Sequence, residues 1–240
     1  GLSNRDNPKV SNAPADAGSP VRPPRQPRHA IVIGAGLAGA STCVQLARRG
    51  WQLDIIASHA GPAMAASALP VGMLSPHVTR SPTPLSRLSA IGVALTRREL
   101  EALVPAGGGW QECEVDNHGA DAGRWPAALV RPSALVCAWL DEARARTSVR
   151  GHWSCSITQL EQAPSPWGQP MWQAKDQHGR VVAQAPVVVV AAALGSLDLI
   201  KSSRPASDPD GLPLRPVKGQ LSLAALQGRP FSPRPQRNQG

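Results

Sequence analysis

A glycine-rich turn between an apolar run and a helix-forming stretch constrains the fold of this chain more than any other feature. The run HAIVI at residues 29–33 is typical of a buried parallel strand. The turn GAGLAG at residues 34–39 follows, and the stretch 37–49 predicts a helix that stops at Gly50. A second strand is predicted over residues 51–57. Strand, turn, helix and strand together predict one βαβ unit of the dinucleotide-binding type.

The glycines of this turn each have a physical role in holding a dinucleotide. Gly34 permits the tight turn, Gly36 lets the backbone approach a pyrophosphate, and Gly39 lets helix and strand pack closely. The phosphates would then lie over the free N–H groups of the helix N-terminus. The sequence therefore predicts that the whole turn contacts the cofactor, through Gly34, Ala35, Gly36, Leu37, Ala38 and Gly39.

The end of the second predicted strand departs from the general dinucleotide pattern. An Asp or Glu usually stands there and binds the ribose hydroxyls. This chain has Ala57 at that position, followed by Ser58, and Asp54 comes three residues too early. Two alternatives stay open: Ser58 or a backbone group contacts the ribose, or the affinity for the adenosine is weakened.

The rest of the chain continues the alternation of helices and strands. Helices are predicted over 85–103 and 132–146, the second with Pro132 at its first position. Short strands are predicted over 152–159, 171–175, 181–184 and 187–193, and residues 214–223 are expected to be extended. We therefore expect an α/β fold of Rossmann type, with a parallel sheet, helices and a small antiparallel β-meander.

The positive charge of the chain is concentrated at its two ends. The formal net charge is +9; residues 1–28 hold five basic and two acidic side chains, and residues 226–240 hold three basic and none acidic. Both segments are rich in Pro and have no periodic apolar pattern, so we expect a disordered linker at 1–28 and a disordered tail at 226–240. A basic patch can attract a phosphate backbone, but disordered basic ends explain this charge more simply.

Several classes of protein are not favoured by the composition. The four cysteines, Cys43, Cys113, Cys137 and Cys155, form no CxxC motif and have no metal-ligand spacing with His, so we expect no metal site. No run of about 18 apolar residues predicts a membrane span, and the N-terminus lacks the apolar core of a secretory signal. We expect a cytoplasmic chain, and its lack of an initiator Met suggests an excised or trimmed segment.

Residues 50–78 give a more specific indication. They contain a series of short matches to one flavoenzyme family: Gly50-Trp51-Gln52, Gly61-Pro62-Ala63, Ala66-Ser67, Gly72-Met73-Leu74 and Pro76. On these residues the chain resembles the FAD-dependent oxidoreductase half of the bifunctional tRNA 5-methylaminomethyl-2-thiouridine biosynthesis family, in the D-amino-acid-oxidase-like superfamily. That family often lacks the ribose-binding acid as well.

Three later segments are similar to the same family in order and spacing. Pro132–Leu135 resembles the start of a family helix, and Val217–Gln220 resembles a segment that lines the route to the flavin. Residues 187–196 resemble a strand that ends in an Ala-x-Gly turn beside the flavin. Two registers stay open here: Ala193 replaces the glycine, or the turn is formed by residues 193–195.

The resemblance implies FAD as the cofactor and a set of residues around it. Beyond the glycine turn, the implied cofactor contacts are Ser58, Ala66, Ser67, Gly72, Met73, Leu74 and Ala193. The implied substrate contacts are His77, Arg80, Lys218 and Gln220, with Arg87 as an alternative to Arg80 for holding a substrate carboxylate. The FAD-binding domain would span residues 29–225 and include part of a substrate domain at about 80–125.

In this family the flavin oxidises a secondary amine, the carboxymethylaminomethyl group of wobble uridine in tRNA. The N–CH2 carbon gives a hydride to the flavin, and the resulting imine hydrolyses to an aminomethyl group and glyoxylate. The resemblance thus implies a tRNA-modifying enzyme, fused to or partnered with a methyltransferase domain. The family also has a second half with another flavin-binding glycine segment, and we expect this chain to be truncated before it.

Three alternatives to this function stay open. An oxidase of free glycine, sarcosine or D-amino acids would use the same scaffold. A truncated FAD-binding remnant without turnover would fit the missing second half. An NAD(P)-binding protein would share the glycine turn, but the loop at residues 61–76 resembles flavin enzymes instead.

Overall fold

A computed structural model describes residues 26–79, 81–118, 122–203, 216–217, 219, 221–224, 228 and 234–238. Its strands are β1 (His29–Ile33), β2 (Gln52–Ile56), β3 (Gly72–Leu74), β4 (Trp110–His118), β5 (Gly123–Val130), β6 (Val149–His152), β7 (Ile157–Ala163), β8 (Met171–Asp176), β9 (Val181–Ala185), β10 (Val187–Val190) and β11 (Gln236–Asn238). Its helices are α1 (Leu37–Ala47), α2 (Pro84–Leu103), α3 (Pro132–Arg146) and α4 (Gly195–Ser203), and Ala66–Ala68 form a short 3₁₀ turn.

A four-stranded parallel sheet in the order β10-β1-β2-β6 forms the centre of the fold. Strand β1 lies between two partners, with Val32 level with both Val189 and Ile55. Every residue of β1 after His29 is buried, because both faces of the sheet are covered, and this is why the run is apolar. The predicted α/β fold of Rossmann type is confirmed.

Helices cover one face of this sheet and a β-meander covers the other. Helices α1 and α3 pack against each other and against buried side chains such as Ala30 and Ile55. The antiparallel sheet β7-β8-β9 packs on the opposite side chains, among them Ile31 and Ile56. Because successive strand residues point to opposite faces, one apolar run supplies both layers of the core.

A third sheet has the order β11-β4-β5-β3, with β11 parallel to β4 and the other pairs antiparallel. Helix α2 precedes its two long strands and begins at a capping box, in which Thr83 and Ser86 each accept the other's backbone N–H. Near the C-terminal end of α2, Leu100 is fully buried in the core. The N-terminal part of α2 leaves a row of apolar side chains more than half exposed: Leu85, Leu88, Ile91 and Leu95.

The structure corrects the single strand predicted over 152–159. Strand β6 ends at His152 and β7 begins at Ile157, and the two belong to different sheets. Between them, Ser154 has a left-handed backbone with φ of 52°. This bend carries the chain from the parallel sheet into the meander, and no Gly or Pro marks it in the sequence.

The structure also differs from the disordered tail predicted over 226–240, because residues 236–238 form a strand. Strand β11 pairs in register with Asp116–His118 and occupies the edge of β4. The Asp116 carboxylate accepts hydrogen bonds from Arg234 and from the amide of Gln236. These contacts come from side chains more than 110 residues apart, which a local pattern does not reveal. Residues 1–25 of the predicted linker lie outside the described residues.

The extended segment predicted over 214–223 lies largely outside the described residues. The other predicted elements have boundaries close to those of the structure, with two exceptions. Helix α1 ends at Ala47 rather than at 49, and β10 ends at Val190 rather than at 193, where the chain turns into α4. The hairpin of β4 and β5 is not predicted at all. Its first strand has the sequence WQECEVDNH, whose polar and acidic residues hide the alternation that marks a half-buried strand.

Asp54 is a buried carboxylate inside the parallel sheet, with 1% of its side chain exposed. It accepts hydrogen bonds from His29 at 2.6 Å, from His152 at 2.7 Å and from Arg150 at 2.9 Å. Burial raises the pKa of the Asp54 carboxyl, but the hydrogen bonds outweigh burial and hold that pKa well below its usual range. The acid that comes too early to bind a ribose therefore joins β1, β2 and β6.

An arginine just after α1 joins three helices. Arg48 donates to Glu99 of α2 at 2.7 and 2.9 Å, and to Glu142 of α3 at 2.7 and 3.0 Å. Trp139 of α3 donates its indole N–H to Glu99 at 2.9 Å. Hydrogen bonds from Arg48 lower the pKa of both Glu99 and Glu142, so both stay ionised near neutral pH.

Candidate nucleotide-binding site

A cleft of about 740 Å³ opens where β1, β2 and β10 end and α1 begins. We call it the sheet-end cleft. In open α/β sheets, ligands bind in a crevice at the carboxyl ends of the strands, at the point where the strand order reverses. Most of the cofactor residues predicted from the sequence line this cleft: Gly34, Ala35, Gly36, Leu37, Ala38, Ser58, Ala66, Ser67 and Ala193.

Two glycines of the turn are required by the packing of the backbone. Gly34 has φ of 111°, and a Cβ built on it would lie 2.3 Å from the carbonyl oxygen of Ala191. A Cβ on Gly39 would lie 1.8 Å from the carbonyl oxygen of Gly34. Gly39 is buried beneath the turn and does not line the cleft. It has the packing role that the motif assigns to it, but not the cofactor contact predicted for the whole turn.

Gly36 has a different reason to be glycine. Its backbone, with φ of −89°, is open to any residue, but a Cβ there would lie 3.2 Å from the Ser67 hydroxyl on the wall of the cleft. That hydroxyl accepts a hydrogen bond from the Leu37 N–H at 3.2 Å. Helix α1 begins without a side-chain cap and without an acidic residue in its first turn. Its N-terminus therefore directs partial positive charge toward the cleft, beside the space that Gly36 leaves free.

The backbone of the turn after β10 bears on the two registers left open for this segment. Ala193 has a left-handed backbone with φ of 51°, whereas Gly195 is already the first residue of α4. A glycine adopts the left-handed conformation most easily. The geometry therefore favours the register in which Ala193 itself stands where the family has glycine.

Gly72, Met73 and Leu74 line a second, largely apolar cleft of about 670 Å³ between α1, α2, α3 and β3. We call it the helix cleft. Leu37 and Ala38 line both clefts, so the first turn of α1 separates one from the other. The structure therefore places the predicted cofactor residues in two adjoining clefts rather than in one.

The residues predicted to contact substrate are only partly within the described residues. His77 is half-buried; its backbone N–H donates to the Ser89 hydroxyl at 2.8 Å and so ties the loop after β3 to α2. Arg87 is exposed on α2. Residues Arg80, Lys218 and Gln220 lie outside the described residues. Another arginine reaches this loop instead: Arg237 of β11 lies 3.4 Å from the Ser75 hydroxyl and from the Pro76 carbonyl oxygen.

One wall of the sheet-end cleft is not predicted from the sequence. It is formed by the turn after β6. Cys155 and Ser156 line the cleft beside the end of β2, and His59, just after β2, lines it as well. Backbone hydrogen bonds hold this wall in place, from Cys155 N–H to the Ala57 oxygen at 3.0 Å and from Ser154 N–H to the His59 oxygen at 2.8 Å. None of the described residues that line the cleft is Asp, Glu, Lys or Arg. The polar side chains that line it are therefore serine hydroxyls, the Cys155 thiol and the His59 imidazole.

The fold and the glycine turn together define the class of protein. Residues 29–122 match the family of FAD-dependent oxidoreductases called DAO. The cofactor that the family description names is FAD, as the sequence predicts.

The curated relatives are more specific. Over 251 residues the chain is 38% identical to the tRNA 5-methylaminomethyl-2-thiouridine biosynthesis bifunctional protein of Verminephrobacter eiseniae, covering 89% of this chain and 39% of the relative. The protein of the same name from Ralstonia nicotianae is 36% identical, with 91% of this chain and 37% of the relative covered. The chain thus spans about two fifths of the length of these relatives.

Among solved structures, the glycine oxidase of Geobacillus kaustophilus has a similar fold. The TM-score is 0.52 at 17% sequence identity, over 72% of this chain and 57% of the oxidase. At this identity the similarity supports the fold alone.

Two further observations concern the described part of the chain. None of its helices is both long enough and apolar enough to cross a membrane. Nor do its described residues bring together three or more His, Cys, Asp or Glu side chains in a group that could hold a metal ion.

Proposed function

We propose that the chain binds FAD non-covalently in the sheet-end cleft, with the pyrophosphate over the start of α1. The glycine turn is the observation that carries this proposal. Gly34 and Gly39 let β1, β10 and α1 approach each other, and Gly36 leaves the space beside Ser67 free of a side chain. Phosphate oxygens accept hydrogen bonds from the N–H groups of a helix N-terminus, so the residues present fit the pyrophosphate of FAD.

The two ends of the cofactor would lie on either side of this turn. Ser58 follows β2 and lines the cleft at the strand end where an adenosine ribose is expected in this fold. Leu37 and Ala38 line both clefts and would connect the pyrophosphate to Gly72, Met73 and Leu74 beside the flavin. The apolar lining of the helix cleft would exclude water from that end.

The reaction in which this chain takes part is, in our proposal, the oxidation of a secondary amine on tRNA. When bound, FAD supplies an acceptor for the hydride removed from the carbon next to the amine nitrogen. Support comes from relatives up to 38% identical whose names state tRNA 5-methylaminomethyl-2-thiouridine biosynthesis. The carboxymethylaminomethyl group of wobble uridine is then the substrate group, and a cytoplasmic location follows from tRNA as the substrate. Since those relatives are named bifunctional, a methyltransferase domain, fused or separate, is the proposed partner.

The visible absorption spectrum of the purified chain tests the cofactor. A bound flavin should remain after dialysis of the wild-type chain and should be lost from Gly36→Val, because the added side chain would occupy the space beside Ser67 where the pyrophosphate approaches. We expect a fall in FAD affinity of roughly two orders of magnitude, since several charge-assisted hydrogen bonds are lost together. Ala145→Val on α3 is the matched control, because it adds apolar bulk at an exposed helix position that lines neither cleft. Retention of the flavin by Gly36→Val would show that the fingerprint has been assigned wrongly.

Retention of tRNA on filters tests the substrate. Contacts to phosphates release counterions, so affinity for tRNA should fall steeply between low and physiological salt. Flavin reduction by free sarcosine or glycine, without salt-sensitive tRNA binding, would assign the chain to the amino-acid oxidases instead. A bound flavin that neither tRNA nor free amino acids reduce would indicate a chain that binds FAD without turnover.

A further inference from the structure

The adenosine end of the sheet-end cleft has no carboxylate in the usual place. Ala57 follows β2 and is almost fully buried, and Ser58 and His59, both exposed, come next and line the cleft. The nearest acid in the sequence, Asp54, is 1% exposed and bonded to His29, His152 and Arg150. It therefore presents no free carboxylate to a ligand.

Ser58 and His59 form a pair of neighbouring polar side chains at this position. The Ser58 hydroxyl lies 3.3 Å from Nδ1 of His59, and the His59 carbonyl oxygen accepts the Ser154 N–H at 2.8 Å. Because Ser154 belongs to the turn after β6, the backbone of the pair is anchored to the neighbouring wall of the cleft. The hydroxyl of Ser156 lines that wall.

We propose that Ser58 and His59 recognise the adenosine ribose in place of a carboxylate, and that the cleft therefore also accepts an adenosine nucleotide with a phosphate on its ribose. The inference rests on the proposed function, which places a nucleotide in this cleft. A carboxylate at the end of β2 accepts hydrogen bonds from both ribose hydroxyls and repels a phosphate there. A hydroxyl and an imidazole both donate and accept hydrogen bonds, so they bind either form of the ribose.

The absence of acidic side chains from the wall of the cleft supports the same conclusion. No described residue that lines the cleft is Asp or Glu, so a phosphate on the ribose would meet no like charge there. The ligand class is thus wider than FAD alone and includes adenosine nucleotides with or without a ribose phosphate.

Calorimetric titration of the full chain with two matched nucleotides tests the proposal. AMP and adenosine 2′,5′-bisphosphate differ only by the ribose phosphate, so the ratio of their dissociation constants measures how the cleft treats that group. For the wild-type chain we expect the two constants to agree within about threefold, which is under 1 kcal/mol. Rejection of the bisphosphate by tenfold or more, with AMP and FAD still bound, would overturn this proposal and leave the proposed function standing.

One substitution should convert the cleft to the usual specificity. His59→Asp places a carboxylate beside the ribose, so the bisphosphate should bind on the order of 30-fold more weakly relative to AMP than it does to the wild-type chain. His178→Asp makes the same change of charge at an exposed position on the turn after β8, outside the cleft, and should leave the ratio unchanged. Equal ratios in the two variants would overturn the proposal.

A second pair of variants separates the ribose contact from the phosphate preference. Ser58→Ala should weaken AMP and the bisphosphate together by roughly fivefold, the usual effect of one lost hydrogen bond. His59→Gln keeps a neutral donor and acceptor and should leave AMP binding within about twofold. Unchanged binding of both nucleotides to Ser58→Ala would remove this residue from the ribose site. If the wild-type chain bound neither nucleotide nor FAD, the proposed function and this inference would fail together.

Discussion

The parallel sheet with α1 and α3 differs from the region of α2 and the third sheet in how its apolar residues are used. In the first region, β1 and β2 bury nearly every apolar side chain, for example Val32 and Ile55 at 0% exposure. In the second, α2 buries Leu100 but leaves Leu88 and Ile91 more than half exposed. Burial on two faces therefore stabilises the parallel sheet, whereas α2 depends on its cap, on Arg48 and on one buried residue, Leu100.

Glycine substitutions should show the largest difference between the two regions. Gly39→Val would bring a Cβ to within 1.8 Å of the Gly34 oxygen, which no side-chain movement relieves. We expect a loss of more than about 4 kcal/mol in the free energy of unfolding, or no folded protein at all. Gly92→Ala in α2 meets open space and should raise that free energy by about 0.5–1 kcal/mol. Urea unfolding followed by circular dichroism compares them, and similar effects from both would break the contrast.

The buried carboxylate of the first region should give the next largest effect. Asp54→Asn removes the charge that His29, Arg150 and His152 face, and we expect a loss of about 3–5 kcal/mol because the partners stay behind. The exposed carboxylate of Asp141, paired with Arg144 on α3, is the matched control. Asp141→Asn should change the free energy of unfolding by less than about 0.5 kcal/mol.

The effect of Asp54→Asn on the free energy of unfolding should depend on pH. The pKa of Asp54 is lower in the folded chain than in the unfolded one, where an Asp titrates at about 3.9. Its contribution to stability is therefore fully present above that pH and is lost as the pH falls toward the folded-state pKa. The difference in unfolding free energy between wild type and Asp54→Asn should shrink when the pH is lowered from about 6 to about 3. A difference that stayed constant would mean that the carboxylate charge is not what stabilises the cluster.

Leucine truncations sharpen the comparison within α2 itself. Leu100→Ala should cost about 2–5 kcal/mol, because it leaves a cavity against the core, whereas Leu88→Ala should cost less than about 0.5 kcal/mol. Thermal unfolding of the two variants measures the difference. A large cost for Leu88→Ala would show that its side chain is covered in solution.

Prediction from the sequence succeeded where the structure of a segment depends mainly on its own residues and their chain neighbours. The run at 29–33, the glycine turn and the strand after it are adjacent in the chain, so periodicity and backbone chemistry sufficed to place β1, α1 and β2. It failed where distant segments meet. No glycine or proline marks the bend at Ser154. Strand β11 is held by Asp116, more than 110 residues before it.

The candidate site divides in the same way. The turn at 34–39 could be predicted from its own sequence, because the order of strand, glycine-rich turn and helix is local. The contacts of Gly34 with Ala191 and of Gly36 with Ser67 lie outside the βαβ unit and could not be predicted in this way. The wall formed by Cys155 and Ser156 could not, because only the pairing of β2 with β6 brings these residues to Ala57. Gly72–Leu74 are predicted from the sequence to contact the cofactor. Their position in the adjoining helix cleft depends on the pairing of β3 with β5.

The hydrogen bonds of Arg48 fix helix α1 in place before a nucleotide would bind. They hold the far end of α1 to Glu99 and Glu142, while the near end is packed through Gly39 against the turn. Helix α1 cannot slide or tilt without breaking these contacts. Most of the conformational entropy of the binding site is therefore lost when the chain folds, and not when the nucleotide binds. The pyrophosphate would meet a surface that already has its final shape, and association would be a single bimolecular step limited by diffusion and orientation.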